Sequence, residues 1–278
     1  MPAPSFVDRL RAAQSDRDTV VCVGLDPDPA RLPSFLTDAY ALPEAMTRFN
    51  ASIVASTRGA ACAYKLNLAF YEALGRDGWT VLEQTIAQIP DTHLTIADGK
   101  RADIGNSARF YAQSVFDTLG FDACTVAPYM GRDSVLPFLE RPGTAAFVLA
   151  RTSNPGAADF QSCTCEDDTP LYERVAEATM QWSAASSGIG GLVVGATDPD
   201  ALGQLRDRCP TLPFLIPGVG AQGGDAQAVM QAAATKDGLV LVNSSRGIIF
   251  ASEEGNFAQA AGQAAADLRD RLNAARVA

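Results

Sequence analysis

The sequence predicts an α/β fold, a single (β/α)8 TIM barrel spanning residues 1–278 as one domain. Short apolar runs of strand length recur about every thirty residues, and helix-like stretches lie between them, the alternation expected of βαβ units. Eight such runs can be counted, the number that closes a barrel, and 278 residues is close to the roughly 250 typical of one. An open doubly wound sheet shares the alternation and stands as the alternative.

Each run is apolar and leads into polar residues or a turn. The first four are Thr19 to Leu25, ending at Asp26; Ala61 to Leu66, carrying Lys65 and meeting Asn67; His93 to Ala97, meeting Asp98 and Lys100; and Ala123 to Ala127, meeting Pro128 and Tyr129. The next two are Ala145 to Ala150, ahead of Thr152, Ser153 and Asn154, and Ile189 to Val194, ahead of Gly195. The last two are Pro213 to Ile216, ahead of Pro217 and Gly218, and Leu239 to Val242, ahead of Ser244, Ser245 and Arg246. The intervening stretches are rich in helix formers; Leu171 to Met180, for example, spaces its apolar residues by three and four. The longest connection without a pattern runs from Pro155 to Pro170 after the fifth run, and reads as a mobile loop or a surface insertion.

Composition narrows the function classes. An apolar share of 47% supplies a substantial core, while a net charge of −10 and the lack of a basic run argue against binding nucleic acid or an anionic membrane. Asp8 and Arg9 come too early for a secretory leader and no apolar run approaches bilayer length, so a cytoplasmic location is expected. Cys22, Cys62 and Cys124 lie inside apolar runs as small hydrophobes. Cys163 and Cys165 lie in a polar stretch and leave a redox pair open, but no second pair at zinc-ligand spacing accompanies them. His93 is the single histidine, so a histidine metal site or nucleophilic triad would have to use it; at the start of its strand it reads as structural.

The run Asp98-Gly-Lys100-Arg-Ala-Asp103-Ile104-Gly-Asn106-Ser107 crowds charge where an apolar strand ends. Only three of the 22 basic residues are lysines, at 65, 100 and 236, and two of them stand at strand ends. Lysine can release a proton near neutral pH in a tuned setting whereas arginine effectively cannot, which points to proton transfer or covalent amine chemistry. Asp98 and Lys100 are two apart and would point the same way from extended backbone, with Lys65 beside them on the neighbouring strand. The competing reading of this Lys, Asp, Lys array is an ion-pair network at the barrel mouth, although buried ion pairs add little net stability. On the same face, Pro217 to Asp225 is glycine-rich and leads into a helix start, and Ser244-Ser-Arg246-Gly247 adds a bidentate cation. Together they read as an anion site after strands seven and eight, the place favoured for phosphate in such barrels.

These residues resemble the orotidine 5′-phosphate decarboxylases over nearly the whole chain. The match rests on Asp98-x-Lys100-x-x-Asp103-Ile104-x-Asn106-Ser107, where the family usually has threonine at the position of Ser107, and on five further segments in order. These are Gly24-Leu-Asp26-Pro, Lys65-x-Asn67, Thr152-Ser153-Asn-Pro155, Pro217-Gly-Val-Gly-Ala-Gln222 and Ser245-Arg246-Gly247, closest to the longer form of the family. The resemblance implies decarboxylation of orotidine 5′-monophosphate to uridine 5′-monophosphate without cofactor or metal, in a homodimer with shared sites. By the same resemblance Lys100 is the catalytic cation and proton donor, held by Lys65, Asp98 and the partner's Asp103. Asp26 and Asn67, with Ser107 from the partner, would contact the ribose. Ser153 would hold the pyrimidine, with Thr152 able to take that role. Ile104 from the partner, Pro217 and Val219 would line the site, and Gln222, Arg246 and the Gly247 N–H would hold phosphate. Two alternatives remain: a magnesium-dependent sugar-phosphate enzyme of the same superfamily, against which Ile104-Gly-Asn106-Ser107 speaks, and a non-catalytic phosphate-binding barrel.

Overall fold

The structure, a computed structural model, describes residues 4–219, 224–235 and 237–276. Its eight strands are β1 (Val21–Gly24), β2 (Ala63–Asn67), β3 (Leu94–Arg101), β4 (Ala123–Val126), β5 (Ala145–Arg151), β6 (Ile189–Val194), β7 (Phe214–Pro217) and β8 (Val240–Ser244). Each pairs in parallel with the next, and β8 returns to β1 with Val21 opposite Val242. The barrel is therefore closed, and the open-sheet alternative falls.

Helix α1 (Phe6–Arg17) precedes the barrel, started by a capping box between Ser5 and Asp8. Around the outside follow α2 (Ser34–Ala39), α3 (Leu42–Thr57), α4 (Leu68–Glu72), α5 (Arg76–Ile86), α6 (Gly105–Ala112), α7 (Arg132–Leu139) and α8 (Leu171–Ala184). The circuit ends with α9 (Pro199–Arg208), α10 (Ala226–Ala233), α11 (Arg246–Ile249) and α12 (Phe257–Ala274). No helix among the described residues is long and apolar enough to cross a membrane.

Strand alternation sorts the core into two layers. Val21, Val23, Leu66, Val126, Val148, Leu192, Ile216 and Val242 face the helices. Cys22, Ala63, Ile96, Ala123, Phe147, Val193, Leu215 and Leu241 fill the barrel. Helix α1 closes the N-terminal end of that interior with Phe6, Leu10 and Ala13, the Phe6 ring meeting Phe147 edge-on at 5.9 Å. Cys22, Cys62 and Cys124 are buried, as their apolar setting suggests, while Cys163 and Cys165 are free thiols at the surface and partly covered.

Two elements differ from expectation. β3 does not stop at Ala97 but continues through the charged motif to Arg101. Across from it, β4 advances only from Cys124 to Val126 while β3 advances from Ala97 to Arg101, so β3 bulges, and Lys100 takes a left-handed φ of 45°. The bulge, rather than plain extended backbone, sets the aim of Lys100. The patternless stretch after β5 also carries local structure: a 3-10 turn at Pro155–Asp159 leads to a bridge between Thr164 and Pro170 and then to α8.

Candidate active site

The inward alternation carries into the last layer at the C-terminal end of the strands, where a cavity of about 390 Å³ opens. This volume lies within the roughly 300–1,000 Å³ of small-molecule sites. Strands β2, β3 and β4 contribute Lys65, Asp98, Lys100 and Thr125 to it, while β5, β6 and β7 contribute Leu149, Val193 and Leu215.

On the charged side Asp98 lies between two ammonium groups. Lys65 Nζ donates to Oδ2 at 2.8 Å, Lys100 Nζ donates to Oδ1 at 2.7 Å, and the Thr125 hydroxyl donates to Oδ1 at 2.9 Å. Thr125 Oγ1 in turn accepts the Lys100 backbone N–H at 3.0 Å, tying the bulge to β4. Asp26, at the exit of β1, stands 3.8 Å from Lys65 Nζ and accepts the Asn67 N–H at 3.2 Å. The Asn67 carboxamide oxygen accepts the Ala69 N–H and so caps α4. Burial alone would raise the pKa of Asp98, but the charges and hydrogen bonds of Lys65 and Lys100 reverse this and hold it well below the carboxylate range. Burial would likewise lower Lys65, yet Asp26 and Asp98 overcome it and hold the ammonium above the ordinary lysine value. Asp98 and Lys65 are therefore held in their charged forms, with the Lys65 and Asp98 side chains 5% and 10% exposed and that of Lys100 49% exposed at the cavity.

The other expected residues divide into three groups. Thr152, Ser153, Pro217, Val219 and Arg246 line the same cavity. Ser153 sits against Gly195, where a Cβ would lie 2.9 Å from the Ser153 nitrogen, so only glycine lets the exits of β5 and β6 come this close. Arg246 opens α11 and is exposed, and no carboxylate among the described residues pairs with it. Gly247 follows it but faces a neighbouring groove beside Ile248 and Leu268. Asp103, Ile104 and Ser107 form the second group and are not brought to the array within one chain. Asp103 and Ser107 lie on a groove with Trp79, Phe110 and Tyr111, and Ile104 is 55% exposed. Gln222, the third case, lies outside the described residues.

Sequence reasoning missed Thr125, Leu149, Val193, Leu215 and Asn243, all of which line the cavity. Asn243 on β8 is buried, and its Oδ1 has no hydrogen-bond partner among the described residues. A polar residue directly after the apolar run Leu239 to Val242 was the available signal. His93, by contrast, has a structural setting: its Nε2 meets the Arg58 carbonyl at 2.9 Å at the opposite end of β3, and burial lowers its pKa. A larger cavity of about 780 Å³ also lies at that opposite end, beside α1. Its arginines are already engaged, Arg11 with Asp237 and Arg276 with Asp18.

Comparison with known proteins gives one answer. The model of the orotidine 5′-phosphate decarboxylase / HUMPS family matches residues 19–261. An orotidine 5′-phosphate decarboxylase of Haloarcula marismortui is 49% identical over 280 residues, covering 96% of this chain and 98% of that one. One from Dehalococcoides mccartyi is 45% identical over 272 residues, covering 96% and 97%. The solved OMP decarboxylase of Leishmania donovani superposes with a TM-score of 0.83 at 37% identity, covering 99% of this chain and 100% of that one.

Proposed function

Because the chain belongs to the orotidine 5′-phosphate decarboxylase / HUMPS family and is a carboxy-lyase of pyrimidine biosynthesis, we propose that it converts orotidine 5′-monophosphate to uridine 5′-monophosphate with Lys100 at the reacting carbon. Breaking the bond between C6 and its carboxylate releases carbon dioxide and leaves an electron pair in the ring plane, where the ring delocalises it poorly. A cation beside C6 stabilises that pair, and transfer of one proton from the Lys100 ammonium completes the product. The observation that carries this reading is the placement of Lys100 Nζ, fixed at 2.7 Å from a carboxylate that Lys65 and Thr125 also hold. In this reading Asp26 and Asn67 contact the ribose, Ser153 the base, and Arg246 with Gln222 and the Gly247 N–H the phosphate. The unpaired Asn243 Oδ1 suits a donor, and the ribose hydroxyls on the adjacent β1 side supply one.

Repulsion of the substrate carboxylate by Asp98 contributes little here. An isolated like-charge contact at about 4 Å is worth on the order of 4 kcal/mol at an effective dielectric of 20, against up to about 23 kcal/mol in the larger enzymatic accelerations. Both Asp98 oxygens are already bonded to ammonium groups, which reduces even that figure. The barrier must fall mainly through carbanion stabilisation and through the phosphate grip used to order the site. Arg246→Ala is therefore expected to lower kcat as well as raise KM, by about 100-fold in kcat/KM, the scale of hydrogen bonds to a charged group; a change in KM alone would remove this role.

A homodimer completes the reading. Asp103, Ile104 and Ser107 sit on an outward face with exposed Phe110 and Tyr111, so a second copy is the means of bringing them to an array. Sedimentation should give twice the 29.2 kDa chain mass. The primary test follows the loss of orotidine 5′-monophosphate absorbance with excess chelator, for the parent and Lys100→Ala. Turnover by the parent alone is expected, whereas a folded parent that binds nucleotide without turnover defeats the assignment.

A further inference from the structure

The stretch between β5 and α8 carries one side chain that neither the motifs nor the cavity lining singles out. Gln161 is half-buried and reaches back to Thr152 with both ends of its carboxamide. Its Oε1 accepts the Thr152 backbone N–H at 2.8 Å, and its Nε2 donates to Thr152 Oγ1 at 2.7 Å. The orientation of the amide is dictated by its partners, since a backbone N–H can only donate. Thr152 Oγ1 then donates onward to Asn154 Oδ1 at 2.6 Å. The hydroxyl of Thr152 is thus engaged on both sides.

The location explains why such a clasp is needed. β5 ends at Arg151, so the Thr152 N–H has passed the last ladder position, yet it stands at a cavity wall where a missing partner is costly. On the β6 side the exit is held by the Gly195 N–H donating to the Arg151 carbonyl at 2.8 Å. On the other side it is held by Gln161, whose own backbone is fixed through Ala157 O at 2.9 Å and Tyr172 N at 3.0 Å. Arg151 donates to Ser162 Oγ at 3.2 Å, and the Phe160 ring meets Tyr129 at 6.3 Å, so neighbouring residues of the stretch are anchored too.

We propose that Gln161 is a positioning residue for recognition of the nucleotide base: it fixes the backbone at Thr152, and through it the aim of Ser153, making residues 155–170 a fixed arm of the site. The proposal rests on the substrate assigned above. It separates base recognition from phosphate recognition, because Arg246 opens α11 just past β8, three strands round the barrel from β5.

The test compares two ligands on the full-length enzyme, uridine 5′-monophosphate and ribose 5-phosphate, which lacks the base. Gln161→Ala and the shape-conserving Gln161→Met should each weaken uridine 5′-monophosphate about tenfold, the scale of one or two neutral hydrogen bonds, and leave ribose 5-phosphate within twofold. KM for orotidine 5′-monophosphate should rise by a similar factor with kcat within about threefold, and Gln161→Glu, which keeps the acceptor for the N–H, should recover part of the loss. Equal weakening of both ligands, or weakening of neither, overturns the proposal; if Gln161→Ala fails to fold, Gln161→Met decides. A parent that binds ribose 5-phosphate but not uridine 5′-monophosphate would instead defeat the substrate assignment.

Discussion

The two halves of the cavity floor use the same strand geometry for opposite ends. On β2, β3 and β4 the inward positions are Lys65, Asp98 and Thr125, each bonded to another; on β5, β6 and β7 they are Leu149, Val193 and Leu215, which bond to nothing and pack. The difference teaches that the charged half cannot be understood as a stability device. The neighbouring half demonstrates that this barrel accepts apolar side chains at equivalent positions, and ion pairs in a barrel interior add little over such packing. The apolar wall has its own effect on the charges, because it keeps water from one side of the array and so strengthens every interaction across it.

This contrast can be broken deliberately. Substituting the charged half should cost turnover first, and substituting the apolar half should cost stability first. The largest expected effect is that of Lys100→Ala, a fall of about 10⁴-fold or more in kcat, which under the proposed mechanism combines loss of the proton donor with loss of the cation. Its unfolding free energy should change little, since the ammonium is half-exposed and Lys65 still pairs with Asp98. Single-turnover kinetics and urea unfolding on one preparation would separate the two quantities. Lys65→Met should damage both, because it leaves Asp98 buried with one cation fewer; a loss of about 3–5 kcal/mol is the scale for breaking a buried pair. An unchanged urea midpoint in that variant would mean that the array is looser in solution than its distances imply.

On the opposite wall, Leu215→Ala should destabilise by about 2–5 kcal/mol through the cavity it leaves, with kcat falling far less than in either lysine variant. A kcat loss comparable to that of Lys65→Met would erase the distinction between the halves. The smallest effect is a null one in pH. Asp98 is held below its unfolded pKa, so its stabilising share is present above about pH 4 and is lost as pH falls through the folded value. Lys65 is held above its unfolded pKa, so its share is full below about pH 10.4 and is lost as pH rises through the folded value. The stability difference between the parent and Lys65→Met should therefore stay flat from roughly pH 5 to 9, as urea unfolding across that window would register. A slope inside it would indicate that one member titrates there.

Much of the site was legible because its chemistry is unusual in residue type. A chain with three lysines that places two beside an aspartate at strand ends announces them, and Asp26, Ser153 and Arg246 stand just past apolar runs that mark their strands. Thr125, Val193 and Leu215 were invisible for the reverse reason: a threonine or valine inside a strand is ordinary, and only barrel closure decides which alternate residues face inward. Gln161 lay ten residues past the end of β5 in a stretch without periodicity, and nothing local ties it to Thr152. The extent of β3 was misjudged because charge normally ends a strand, whereas here Lys65, Thr125 and the bulge satisfy the charged residues in place.

By itself, then, the sequence determined the barrel, its eight strands and the charged side chains that meet in its cavity, since apolar periodicity and rare residue types are local properties of the chain. Tertiary structure alone decided that Asp98 would lie between two ammonium groups, that three apolar residues would face them, and that Gln161 would clasp the exit of β5. Those arrangements depend on which strands become neighbours and on a register shift between two of them, and such distances exist only once the barrel has closed.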